Sequence, residues 1–171
     1  IYTGDMRLHG LNSAYTSTFI EQAAKSRPIA MITEGTRVDE RQKVESEKKV
    51  YQTSKSVLEK DKHASIVDFN FKDLDRFHTF YQIAKELGKT LVISFKHACY
   101  LEKYHKDKRI RSPDSKDENI MILKPKRLTG TYIDEDYTDY YIKKRLNYLN
   151  IITSEDITKK PNDYMIVLNF W

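Results

Sequence analysis

A chain of 171 residues suits one domain, able to bury roughly 70% of the surface its unfolded form exposes. Basic residues outnumber acidic ones by 30 to 25, a net charge of +5, and residues 96–130 carry the whole excess with ten basic against five acidic side chains. A single cysteine, Cys99, excludes an internal disulfide and suits a reducing cytosol. No apolar run reaches the ~18 residues of a membrane span and no charged-then-apolar leader opens the chain, so a cytoplasmic location is expected.

In chain order, residues 12–26 have a helical pattern, with Asn12 or Ser13 as cap and Ala14, Phe19, Ala23 and Ala24 roughly on one face. Pro28 breaks it, and Ile29, Ala30, Met31 and Ile32 form a short apolar strand. Residues 37–45 are charged and read as a loop. Ser46 caps a helix to about Lys60, with Val50, Tyr51, Val57 and Leu58 as a partial apolar face. Residues 65–69 read as a strand. Asp73 begins an amphipathic helix with Leu74, Phe77, Phe80, Tyr81, Ala84 and Leu87 at helical spacing, closed by Gly88.

Residues 90–94 form an apolar strand of the buried parallel kind, followed by a helix over 96–105 in which Cys99 is a small buried hydrophobe. Residues 106–118, broken by Pro113, read as a loop or poorly ordered segment. A strand over 119–123, a helix over 134–149, a short turn over 154–157 and a last strand from Tyr164 complete the pattern. Strands alternating with helices predict an α/β fold, a parallel sheet with helices on both faces. The sequence opens without Met and closes inside an apolar run, which predicts a piece of a longer polypeptide.

Two blocks carry chemistry. Thr3-Gly4-Asp5 stands with Met6, Arg7, Leu8, His9 and Gly10, and Ile32-Thr33-Glu34-Gly35-Thr36 follows one helix later. Each is an apolar strand end that stops on a carboxylate beside glycine, which leaves an acid at the rim of a sheet. In this order and spacing the pair resembles the β-CASP branch of the metallo-β-lactamase superfamily, above all its archaeal and bacterial RNA-processing nucleases. The stretch from Ile66 to Leu101 looks like the first strand–helix–strand unit of a β-CASP insert. The resemblance implies that residues 1–36 are the end of the first metallo-β-lactamase half and that residues 45–171 are an incomplete β-CASP domain.

It further implies that Asp5 is a metal ligand bridging two zinc ions in the intact parent, and that Glu34 supports a catalytic histidine in a later block. The family's H-x-H-x-D-H block is not among these residues, and His9, His63, His78, His97 and His105 form no ligand-spaced pair. The fragment is therefore expected to hold no metal and to be inactive alone. The parent would hydrolyse phosphodiester bonds of single-stranded RNA, with Lys106, Lys108, Arg109 and Arg111 as candidate contacts to phosphate. Tyr132, Tyr137, Tyr140, Tyr141 and Tyr148, beside Lys143, Lys144 and Arg145, could stack bases, though helical spacing makes most of them core.

An alternative of another class is a non-catalytic nucleic-acid-binding α/β module in which the stretch 96–130 is the active feature. An ordinary nucleotide-binding domain is disfavoured, because neither G-x-G-x-x-G nor G-x-x-x-x-G-K-[ST] occurs.

Overall fold

The computed structural model describes residues 1–4, 6, 10, 13–34, 45–70, 72–124 and 150–168. All but Glu45 of the expected loop over 37–45, the helix over 134–149 and the end of the last strand lie outside them. The chain divides into two compact units, Ile1–Gln52 and Thr53–Trp171.

In the first unit, helix α1 spans Ser13–Lys25. It ends where Arg27 takes φ of 44°, just before Pro28. The expected strand at 29–32 shrinks to one parallel bridge between Tyr2 and Ile32. The expected apolar face of α1 is not covered: none of its residues is buried, and Phe19 and Ile20 are exposed. The periodicity was present, but the described residues of this unit supply too little apolar mass to bury it.

Helix α2, Glu47–Leu58, is capped by Ser46, whose hydroxyl accepts from the Lys49 amide at 3.3 Å. Only Leu58 of its expected apolar face is buried, and Val57 is 64% exposed.

The second unit is an α/β fold with a five-stranded parallel sheet: β1 (Ser65–Asp68), β2 (Thr90–Ile93), β3 (Ile120–Leu123), β4 (Ile151–Ile152) and β5 (Tyr164–Leu168). Their order is β1-β5-β2-β3-β4, so the last strand enters between the first two. Helix α3, Leu74–Glu86, connects β1 to β2, and α4, Phe95–His105, connects β2 to β3. A short helix α5, Ser154–Lys159, and a 3-10 turn, Pro161–Asp163, lead from β4 to β5. Right-handed crossovers place α3 and α4 on one face, because both connections step the same way across the sheet, and α5 on the other.

Side-chain alternation matches that layering. Leu91, Ile120, Ile122 and Met165 are fully buried on the first face. On the second, the register aligns Ile66, Ile166, Val92 and Met121 in one row. There Ile157 of α5 packs with Val92 and Ile152. Phe69 stacks on Phe80 at 5.4 Å and meets Phe77 edge-on at 6.4 Å. Each such burial contributes about 1.5–3 kcal/mol.

Local signals place the helices. Asp73 caps α3 by accepting from the Arg76 amide at 3.1 Å, and Gly88, at φ of 65°, lets the chain turn directly into β2. Ser94 caps α4. The inward face of α4 is His97, Ala98 and Leu101, while Cys99 is only half-buried, a correction to its expected place in the core. The expected turn at 154–157 is a helix, started by a capping box in which Thr153 and Asp156 bond each other's backbone amides.

Candidate functional site

Backbone pairing brings the two acid-bearing blocks together. The Thr3 amide donates to the Ile32 carbonyl at 3.0 Å, and the Ile32 amide donates to the Ile1 carbonyl at 2.8 Å. One residue on, the Thr3 hydroxyl lies 3.0 Å from that of Thr33. Two parallel strand ends therefore leave the pairing side by side and in the same direction, the end at which parallel sheets present ligand-binding groups. Gly4 follows at φ of 60°. A Cβ there would meet nothing within 4 Å, so glycine serves the left-handed turn and not a close approach.

Glu34 is described and exposed, immediately after Thr33. Asp5 lies outside the described residues, as does His9. A hollow of about 220 Å³ beside Thr3 is lined by Met6 and by Tyr15, Thr16 and Phe19 of α1.

Among the described residues, no three His, Cys, Asp or Glu side chains are grouped to hold a metal. Zinc in a protein site takes about four ligands, and Glu34 alone does not make such a set. The described residues thus do not fit a zinc centre by themselves.

The basic candidates lie in the second unit, just after α4. Lys106, Lys108, Arg109 and Arg111 are all exposed. Arg109 is committed locally: its guanidinium donates to both oxygens of Asp107, at 2.9 and 2.7 Å. These contacts, with the Arg109 amide, hold the Asp107 carboxyl down at about 2. Tyr132, Tyr137, Tyr140, Tyr141, Tyr148, Lys143, Lys144 and Arg145 fall outside the described residues.

The segment carrying these cations is a loop, one of the two alternatives expected for residues 106–118, and its turns are held by side chains. Three aspartates each fold the chain back on themselves. Asp107 accepts from the amide of Arg109, Asp114 from that of Lys116 and Asp117 from that of Asn119, at 3.0, 3.0 and 2.8 Å. His105 Nδ1 lies 3.3 Å from the Ser112 carbonyl, and Ser115 is wholly buried. The Tyr81 hydroxyl, from α3, donates to Asp117 at 2.9 Å. The Asn150 side chain, just before β4, donates to the Asp117 carbonyl at 3.3 Å.

Two pKa shifts follow. Burial and the bond to Asp117 push the Tyr81 phenol up to about 12. Burial pushes the Asp117 carboxyl up, but the hydrogen bonds from Asn119 and Tyr81 outweigh it and hold the group below its usual range. On α3, burial lowers His78, with Asp75 opposing and Arg111 adding to the effect.

Sequence reasoning missed this cluster. Its signal was the aspartates at 107, 114 and 117, each two residues before an amide it accepts. A second cavity, of about 340 Å³, lies beside α5, floored by Met121, Ile152 and Tyr164 and edged by Lys159 and Lys160. None of the sequence-predicted site residues lines it.

The fold and these clusters define an α/β protein with an all-parallel sheet. No family model matches the chain, and no curated protein matches it. It is similar in fold to a solved protein of unknown function from Enterococcus faecalis V583, at 18% identity and a TM-score of 0.55, over 98% of this chain and 35% of that one. The chain thus spans about a third of that protein's length, and at this identity the likeness concerns the fold alone. Among the described residues, no helix is long and apolar enough to cross a membrane.

Proposed function

We propose that this chain is part of a cytoplasmic metal-dependent RNA-processing nuclease of the metallo-β-lactamase, β-CASP type, and that it is inactive without the rest of that nuclease. The single observation that carries the reading is the pairing of Tyr2 with Ile32, which sets the Thr3-Gly4 and Thr33-Glu34 strand ends beside each other. The resemblance pairs the same two blocks as metal ligand and support residue, Asp5 and Glu34. The parallel α/β unit that follows is the architecture a β-CASP cap requires. The histidines that hold metal in that family are not in these 171 residues, so the contribution of this chain is the acid support and an RNA-facing surface.

The test is single-turnover cleavage of a labelled single-stranded RNA by the complete polypeptide that carries this chain. Asp5→Ala and Glu34→Gln should each lower the rate by about 100-fold or more, and residues 1–171 alone should not cleave. Wild-type rates in both variants, or metal-dependent cleavage by the fragment, would overturn the reading.

A second reading, a nucleic-acid-binding module without chemistry, draws on the exposure of Lys106, Lys108 and Arg111 on the loop after α4. It predicts salt-dependent RNA binding by a complete polypeptide that never cleaves.

A further inference from the structure

The cations of residues 106–111 are carried by a segment whose other end is tied down. Asp117 is the knot. One carboxylate oxygen accepts from the amide and side chain of Asn119, each at 2.8 Å, and the other accepts from the Tyr81 hydroxyl at 2.9 Å. Its backbone carbonyl takes the Asn150 side chain and the Ile120 amide that opens β3. One residue therefore ties helix α3, strand β3 and the approach to β4 together. Tyr81 is buried and its ring is backed by Lys85, whose ammonium lies 5.8 Å from the ring centre. The His78 ring, one turn earlier on α3, lies 6.4 Å from that of Tyr81. Arg111 is near enough for its charge to act on His78.

We propose that Tyr81 and Asp117 are positioning residues for polyanion binding: the bond between them holds the 106–119 segment against α3 in the one arrangement that presents Lys106, Lys108 and Arg111 together. The inference rests on the RNA-facing role given to these cations above. Neither residue meets phosphate. Tyr81 is buried, and Asp117 would repel a phosphate. Their effect on binding acts through the shape of the segment. A mobile segment could still reach phosphate with each cation in turn, but simultaneous contact would then carry an added ordering cost.

The experiment compares four forms of the complete polypeptide: wild type, Tyr81→Phe, Asp117→Asn and a variant with Lys106, Lys108, Arg109 and Arg111 all changed to Ser. Affinity for a single-stranded RNA oligonucleotide is measured against salt, beside amide hydrogen exchange and thermal unfolding. Tyr81→Phe keeps the ring and removes only the donor. It should speed exchange of amides 111–119 by about fivefold, leave β2 and β5 amides unchanged and weaken RNA binding several-fold with a flatter salt slope. Asp117→Asn has one acceptor oxygen for donors that now use two and sets its NH2 against a donor, so it should loosen the segment and weaken binding at least as much as Tyr81→Phe.

A merely structural role would lower affinity only as the folded fraction falls, with the salt slope unchanged, and that result overturns the inference. So does faster exchange with wild-type affinity, or wild-type exchange in Tyr81→Phe. If the four-serine variant binds like wild type, the RNA-facing role itself fails and the inference with it. If that variant weakens binding and Tyr81→Phe does not, the role stands and the positioning falls alone.

Discussion

The hydroxyls of Thr3 and Thr33 stand 3.0 Å apart, thirty residues distant in sequence, where two parallel strand ends leave their pairing. The contact links the blocks that carry Asp5 and Glu34 through the residues just before each acid. It depends on the backbone between Ile1 and Thr3 running in register with Ile32.

Gly4 is the weak point of that arrangement. Its φ of 60° suits glycine, and Gly4→Ala should cost roughly 1–2 kcal/mol of local stability even though the added methyl meets no atom. Faster hydrogen exchange of the Thr3 and Ile32 amides, with β2 amides unaffected, is the expected result. Unchanged exchange would mean that the turn relaxes without strain.

Lys89 is 8% exposed and donates to the carbonyls of His63 at 3.2 Å and Asn162 at 2.8 Å. It draws the approaches to β1 and β5 together at the amino ends of the strands. Lys89→Met keeps the stem and orphans both carbonyls, so chemical denaturation should show a loss of about 1–3 kcal/mol. A loss under about 0.5 kcal/mol, the scale of an ordinary surface change, would make Lys89 one more solvated lysine.

The Tyr81–Asp117 bond should open at both pH extremes. Asp117 is depressed, so its contribution is present above the usual carboxylate value near ~3.9 and is lost as pH falls through its lower folded value. Tyr81 is raised to about 12, so its contribution is present below the usual phenol value and is lost as pH climbs through the folded one. Ultraviolet titration should find a tyrosine ionising near 12, and in Asp117→Ala it should move down while burial, the larger cause, keeps it above the ordinary phenol value. No late-titrating tyrosine would sink the expectation.

Arg109 and Lys108 are adjacent and both exposed, yet they should differ. Arg109 is held by both oxygens of Asp107, whereas Lys108 lies outside that pair. Lys108→Ser should flatten the log–log salt slope of single-strand binding by about 0.7, and Arg109→Ser by clearly less. Equal effects would mean that RNA displaces Asp107 from Arg109.

How much was legible in the sequence depended on how local the signal was. Helix α3 was plain, because Asp73, the apolar spacing and Gly88 all act within one helix and its caps. Helix α5 is six residues long, too short for a period to show, and its capping box at Thr153 and Asp156 was the readable mark. In α4 the inward face was misjudged at Cys99, where a rotation of one residue exchanges His97, Ala98 and Leu101 for the half-buried side.

The α1 pattern was visible, but whether anything covers it depends on mass elsewhere. The acid blocks were found by resemblance, and their adjacency needed the Tyr2–Ile32 pairing. Strand β4 is two residues long and its pairing with β3 is non-local, so nothing in Ile151-Ile152 announced it.

The strand order also sets a timetable. Among the described strands β1 pairs with β5 alone, and Ser65 meets Met165, about a hundred residues later in synthesis. Until residues 164–168 emerge, β1 has no ladder partner among the described strands, and β2, β3 and β4 stand together with the other edge of β2 open. A nascent chain stalled before Tyr164 should therefore be cut readily by protease around β1, and release of a few more residues should protect that site in one step. The last strand of the sheet is its keystone, and the earliest strand waits longest for it.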